Sequence, residues 1–275
     1  MIEKCVSSNR LSVMARGWIP PAALLCLLAC LWQPASAEIV EYREVFGVSG
    51  SGNKAMSHVG WQAHQGPEAT PYGDAGGPGI FLSYLAGKPQ DLPNVNAGTA
   101  ENVAAGYGAK STSGIGMAWT DEWTIDRTLH EITSISFYSR DNSADDTYRI
   151  AIRIGETEPE WEWFASETTF SHAGGGSGMV NAIRHVLPFS TDAAQWRDLT
   201  FTPGTELSLA TTSRTDALPA GKVTALGLYM EMDGARTMRF DTYEVRVPEP
   251  GTLLLLAFGG LATMGMFGRR KKARG

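Results

Sequence analysis

The chain has 275 residues and a formal charge of −6, but residues 38–247 hold 15 Lys or Arg against 27 Asp or Glu, while the 28 residues from Pro248 onward hold five basic side chains and one acid. A segment at −12 repels phosphate backbones and anionic lipid surfaces, which excludes nucleic acid as a partner and leaves neutral sugars, cations and basic proteins. All three cysteines, Cys5, Cys26 and Cys30, lie near the N-terminus, so burial rather than disulfides must hold the rest of the chain together.

At the N-terminus, Arg10 and Arg16 precede an apolar run over 22–32 and then Gln33-Pro34-Ala35-Ser36-Ala37. A basic region, a hydrophobic region and a small-residue A-x-A site make residues 1–37 a signal peptide, cut by signal peptidase at the Ala35/Ala37 site to leave Glu38 first. Met14 offers an alternative start that gives a signal of ordinary length. Leu27-Leu28-Ala29-Cys30 approximates a lipobox, a competing reading that would leave Ala35-Ser36-Ala37 idle.

Residues 38–246 read as short apolar runs broken by Gly, Pro, Asn, Asp and Ser, with no helical periodicity beyond three turns. Strands are predicted over 39–46, 59–63, 80–85, 116–123, 132–139, 148–154, 161–167, 182–187, 196–201, 223–232 and 237–247. Such spacing indicates an all-β, antiparallel two-sheet sandwich of jelly-roll type, and about 210 residues can bury roughly 70% of their unfolded surface. In 148–154 three isoleucines alternate with Arg149 and Arg153, which predicts arginines facing out. In 132–138, Ser134, Ser136 and Tyr138 share one face, while Thr133, Ile135 and Phe137 share the other. Asp233-Gly234 predicts a hairpin joining the last two strands. The glycine-rich segments 47–53 and 172–178 lack the lysine and hydroxyl spacing of a phosphate loop.

No catalytic set emerges. No Gly-x-Ser-x-Gly is present, and His130-Glu131 is followed by Ser134 where a zinc helix needs its second histidine. The five histidines are dispersed, which predicts surface or loop positions. Asp121-Glu122 and Glu158, Glu160 and Glu162 supply carboxylates for glycoside chemistry, but an acidic segment offers many chance pairs. Trp161 and Trp163 at period two, and Trp119 with Trp123, stand either as a stacking platform for a sugar or as core. Glu44 in the first strand and Asp241 in the last would meet if the termini pair, forming an oxygen-rich site suited to a structural calcium.

After Val247 the chain reads Pro248-Glu249-Pro250, an uncharged run over 251–268 and then Arg269-Arg270-Lys271-Lys272. As a helix the run spans about 27 Å, enough for a hydrocarbon core, and the basic end fixes the cytoplasmic side. The prolines keep the junction extended, a form that a protease cleft accepts. This arrangement resembles the PEP-CTERM sorting signal of Gram-negative bacteria, with Pro248, Glu249 and Pro250 as its motif. The resemblance implies handling by an exosortase, a membrane-embedded cysteine enzyme, in a host that makes an exopolysaccharide matrix. Arg239, Asp241, Tyr243 and Val245 resemble the Arg-x-Asp-x-aromatic-x-Val strand that closes galactose-binding-like jelly rolls and many carbohydrate-binding modules.

The reading is of a non-catalytic protein exported through the inner membrane, transiently anchored by the C-terminal helix, then placed at the cell surface or in the matrix in association with exopolysaccharide. A glycan-degrading enzyme and a purely structural coat protein are the alternatives.

Overall fold

A computed structural model describes residues 38–46, 54–66, 79–84, 103–108, 114–140, 146–171, 182–232 and 237–249. The signal peptide with Ala35 and Ala37, both glycine-rich segments, Pro250, the predicted helix over 251–268 and the basic cluster Arg269 to Lys272 lie outside the described residues. Among the described residues, no helix is long and apolar enough to cross a membrane.

The described chain is all-β. Its strands are β1 (Glu38–Glu44), β2 (Gln62–Gln65), β3 (Gly79–Tyr84), β4 (Val103–Gly108), β5 (Gly114–Thr120), β6 (Ile125–Asp126), β7 (Ser134–Ser139), β8 (Thr147–Ile154), β9 (Glu162–Ser166), β10 (Ile183–Pro188), β11 (Trp196–Thr202), β12 (Glu206–Leu209), β13 (Lys222–Met232) and β14 (Thr237–Pro248). A six-stranded sheet runs β10-β7-β14-β4-β3 with β1 also on β14, and an eight-stranded sheet runs β12-β11-β9-β8-β13-β5-β2 with β6 on β13. All pairings are antiparallel.

The two sheets close on one core. Ile135, Phe137, Phe240, Tyr243 and Val245 from the six-stranded sheet meet Ile150, Ile152, Phe164, Leu226 and Leu228 from the other. Period-two alternation aims these side chains to one face. At one end, Phe46 packs edge-on against Trp61 at 4.8 Å and Phe240 at 5.1 Å, and Trp61 against Tyr243 at 5.4 Å. Each such pair contributes about 0.5–1.5 kcal/mol beyond simple burial.

Three expectations fail for physical reasons. The runs flanking Asp233-Gly234, a dipeptide outside the described residues, do not pair with each other: β13 lies between β8 and β5 in one sheet, whereas β14 lies between β7 and β4 in the other and also carries β1. Both strands find partners on either side, which uses their edges more fully than a two-stranded hairpin would. Arg149 and Arg153 do leave the isoleucine face, but each is only 7% exposed, because the opposite face of the sheet is covered too. His64 and His185 are buried strand residues rather than surface ones; His64 Nε2 lies 2.8 Å from the Gly66 carbonyl and Nδ1 accepts from Gly204 N at 3.1 Å.

Candidate functional site

The second face of the eight-stranded sheet carries its own apolar cluster. Met117 and Trp119 come from β5, Trp163 and Ala165 from β9, Leu199 and Phe201 from β11, Leu207 from β12, and Ala225 and Tyr229 from β13. Phe201 is central: Trp119 meets it at 4.8 Å, Trp163 at 5.4 Å and His64 at 5.2 Å, all edge-on. Gly227 lies beneath this cluster, where a Cβ would meet the Ala118 carbonyl at 2.4 Å and Trp119 Cβ at 2.9 Å. The absence of a side chain there lets β13 pair closely with β5 at Trp119.

A groove of about 360 Å³ opens over these rings, bounded by Trp119, Arg153, Glu158, Pro159, Trp161, Trp163, Phe201, Thr202 and Pro203. Its far wall is the β8–β9 connection. Gly155 starts that connection at φ +128°, where a Cβ would lie 2.4 Å from the Glu160 carbonyl, so only glycine lets the chain double back and bring Glu158 and Trp161 over the sheet.

Arg153 organises the groove. Its guanidinium carbon lies 3.8 Å from the Trp161 ring centroid and 5.7 Å from that of Trp163. Nε donates to Thr224 Oγ1 and Nη2 to the Thr224 carbonyl, both at 3.1 Å. Burial pulls its pKa down, and the charges of Asp121 and Glu158 push the other way. The cation therefore holds one face of Trp161, which stays 37% exposed, while Trp163 and Trp119 are 8% and 3% exposed and form the floor.

Trp161, Trp163 and Trp119 thus come together as the sequence suggested, but Trp123 does not. The strand ends at Thr120, not at residue 123, and Trp123 turns to the main core, where its ring lies 5.6 Å from Tyr42. Glu162 is exposed on β9, Asp121 accepts from Gln62 Nε2 at 3.4 Å, and Glu122 lies against Gly60. Of the suggested carboxylates, Glu158 alone lines the groove. Phe201 and Arg153 were missed as site residues; period two put Arg153 on the face of Trp163 only if the β8–β9 pairing was known, here Arg153↔Trp163.

A larger cavity, about 530 Å³, lies between segments 127–132, 189–191 and 218–221. Arg127 Nε donates to the Gly221 carbonyl at 3.1 Å and Nη2 to that of Pro219, so this cation holds the loop backbone.

The termini do pair through the β1–β14 ladder, which sets Glu44 opposite Tyr243, two residues along the strand from Asp241. Burial pushes Asp241 up to about 8, despite hydrogen bonds from Thr242, and the charge of Glu44 adds to the rise. Burial also raises Glu44, whose Oε1 accepts from Phe46 N at 2.6 Å. Phe46 and Thr242 beside them both hold positive φ, 49° and 47°, and the β14–β7 register shifts between Asp241 and Glu244. Two desolvated acids and bent backbone fit a hard cation's oxygen preference. Among the described residues, no group of three His, Cys, Asp or Glu gathers in metal-binding fashion, so backbone oxygens would have to complete any shell.

The family model for the PEP-CTERM protein-sorting motif matches residues 246–272. No curated protein matches the chain by sequence. Among solved structures, the similarity is weak. A family 11 carbohydrate-binding module from Clostridium thermocellum, in complex with a β-1,3-1,4-mixed-linked tetrasaccharide, gives 11% identity and a TM-score of 0.38 over 73% of this chain and 97% of that one. The module TmCBM61, in complex with β-1,4-galactotriose, gives 8% and 0.32 over 69% and 88%. A carbohydrate esterase from the Shiga toxin-encoding bacteriophage phi24B gives 10% and 0.32 over 76% and 100%.

Proposed function

We propose that this chain is an exported surface or matrix protein, delivered through its C-terminal sorting signal by an exosortase, whose β-sandwich holds a neutral glycan of the surrounding exopolysaccharide without transforming it. The sorting part rests on the motif match over 246–272. The binding part rests on one observation: Trp161, 37% exposed at the mouth of a 360 Å³ groove, has its inner face seated on Arg153. The outer face of a rigid indole suits the C–H face of a sugar, and Glu158 and Thr202 at the rim supply hydrogen-bond partners for hydroxyls. A groove of this size suits one or two sugar rings. Glycoside hydrolysis uses two carboxylates across the scissile bond, whereas among the described residues one carboxylate lines this groove, which favours binding over cleavage.

Affinity electrophoresis of the mature protein through the host's exopolysaccharide tests the reading. Retardation that Trp161→Ala abolishes supports it, and equal mobility of both proteins in gels with and without polysaccharide removes it. New reducing ends on incubation with that polysaccharide would favour the degradative alternative.

We further propose that Glu44 and Asp241 hold a calcium ion that ties β1 to β14. The burial of both carboxyls, with the charge of Glu44 adding to the rise at Asp241, supports this, since a bound cation would offset both.

A further inference from the structure

The sorting motif does not begin beyond the folded domain. The matched segment starts at residue 246, whereas β14 runs to Pro248. Its first three residues are therefore part of the six-stranded sheet.

All three are held by β1, and Arg246 is held by β7 as well. Along β1, Val40 pairs with Arg246, Ile39 with Val247 and Glu38 with Pro248. On the opposite side Arg246 pairs with Ser134, and its carbonyl accepts from Thr133 N at 2.8 Å and Thr133 Oγ1 at 3.1 Å. The Val247 side chain is in the main core, 3% exposed. Glu249 is the first residue of the motif that is exposed and outside any strand. A cleft that cleaves peptide bonds takes its substrate as a lone extended strand, and residues 246–247 can offer that only after two ladders open and Val247 leaves the core.

We propose that the backbone cut removing the C-terminal tail falls at or beyond the Pro248–Glu249 bond, and that the β1–β14 ladder sets this boundary. This rests on the sorting reading above. In the step, the scissile C–N bond breaks, water or an acceptor nucleophile adds to the carbonyl carbon, and the departing amine takes the proton. The ladder stays whole, so the mature domain keeps Arg246, Val247 and Pro248 and loses no core contact on release. A cut before Arg246 would instead strip β1 of its last three partners.

The test uses the full chain expressed in its host. Protein recovered from the surface is digested, and its C-terminal peptide is identified by mass spectrometry. A terminus at Pro248 or later is expected; a terminus at Val247 or earlier overturns the boundary while leaving the sorting reading intact. Recovery of intact tail alone, with Arg269 to Lys272 present, overturns the sorting reading itself. A second variant probes the ladder. Ile39→Cys with Val247→Cys places one cysteine pair across β1 and β14 in a domain that otherwise has none. Tail loss at a rate within about twofold in the oxidised and reduced forms is expected. Processing about tenfold slower when oxidised, and restored by reductant, would mean that the ladder must open and would overturn the proposal.

Discussion

Arg153 and Trp161 form the tightest cation–ring contact of the groove, the guanidinium carbon 3.8 Å from the indole centroid, and this pair joins the sheet to the loop above it. Trp161→Ala removes the exposed stacking face but leaves the floor of Trp119, Trp163 and Phe201 in place. Glycan affinity is expected to fall at least about tenfold, the loss of one stacked ring, with a melting temperature changed by no more than about 3 °C. Titration calorimetry and thermal denaturation on the same preparation check both halves. Arg153→Met should lower stability as well as affinity, because Thr224 loses two charge-assisted bonds.

On the far side of the sandwich, Glu244 is 3% exposed and meets three arginines: Arg43 at 2.7 Å, Arg184 at 3.2 Å and Arg246 at 3.3 Å. Removing one member of a fully buried pair costs about 3–5 kcal/mol. The arginine side chains are 46%, 33% and 28% exposed, so water screens them and the expected loss for Glu244→Gln drops to about 1–2 kcal/mol. Urea denaturation measures it, and the difference should shrink in 1 M salt, where the screening length is about 3 Å.

The strands were legible where one face is apolar. The isoleucines of β8 and the Ile135/Phe137 pair of β7 announce themselves by period two. β4, Val-Ala-Ala-Gly-Tyr-Gly, carries no such contrast, and β12 is only four residues long, so neither pattern rose above its surroundings. Which strands pair was not legible, because Asp-Gly reports a turn and not whether the flanking strands bond to each other. Trp161 and Trp163 were readable as a shared face. That Arg153 would rise to meet them, and Trp123 leave Trp119, depended on pairing and on where β5 stops, both set by contacts distant in sequence.

Gly227 tests the packing under the groove. A methyl there meets the Ala118 carbonyl at 2.4 Å and Trp119 Cβ at 2.9 Å, and neither is the end of a flexible side chain. Strand pairing at Gly227↔Trp119 and Gly227↔Ala151 leaves the backbone no room to yield. Gly227→Ala is expected to destabilise by at least about 2 kcal/mol, in the range of overpacked cores, although alanine ordinarily favours a strand over glycine. Chemical denaturation gives the value, and near-ultraviolet circular dichroism should report the displaced Trp119.

Asp241 gives the protein a pH dependence that calcium should reverse. Its folded pKa, pushed up to about 8 by burial and by Glu44, exceeds the unfolded value of about 3.9, so the folded state holds the extra proton in between. The resulting stability is full below about pH 4 and is lost as pH rises through about 8. Glu44 is shifted the same way. Burial lowers His64, which acts in the opposite sense below about pH 6.5, so the comparison must be made against Asp241→Asn, where His64 is unchanged. Chelator-treated wild type is expected to melt lower at pH 8 than at pH 5 by roughly 5 °C more than Asp241→Asn does. Added calcium should raise the wild-type melting temperature at pH 8, where both carboxylates can ionise against it, and have little effect at pH 5. Differential scanning calorimetry at the two pH values decides the matter. If calcium leaves the wild type unchanged at pH 8, the metal assignment fails while the proton linkage stands; if Asp241→Asn keeps the wild-type slope, the linkage fails too.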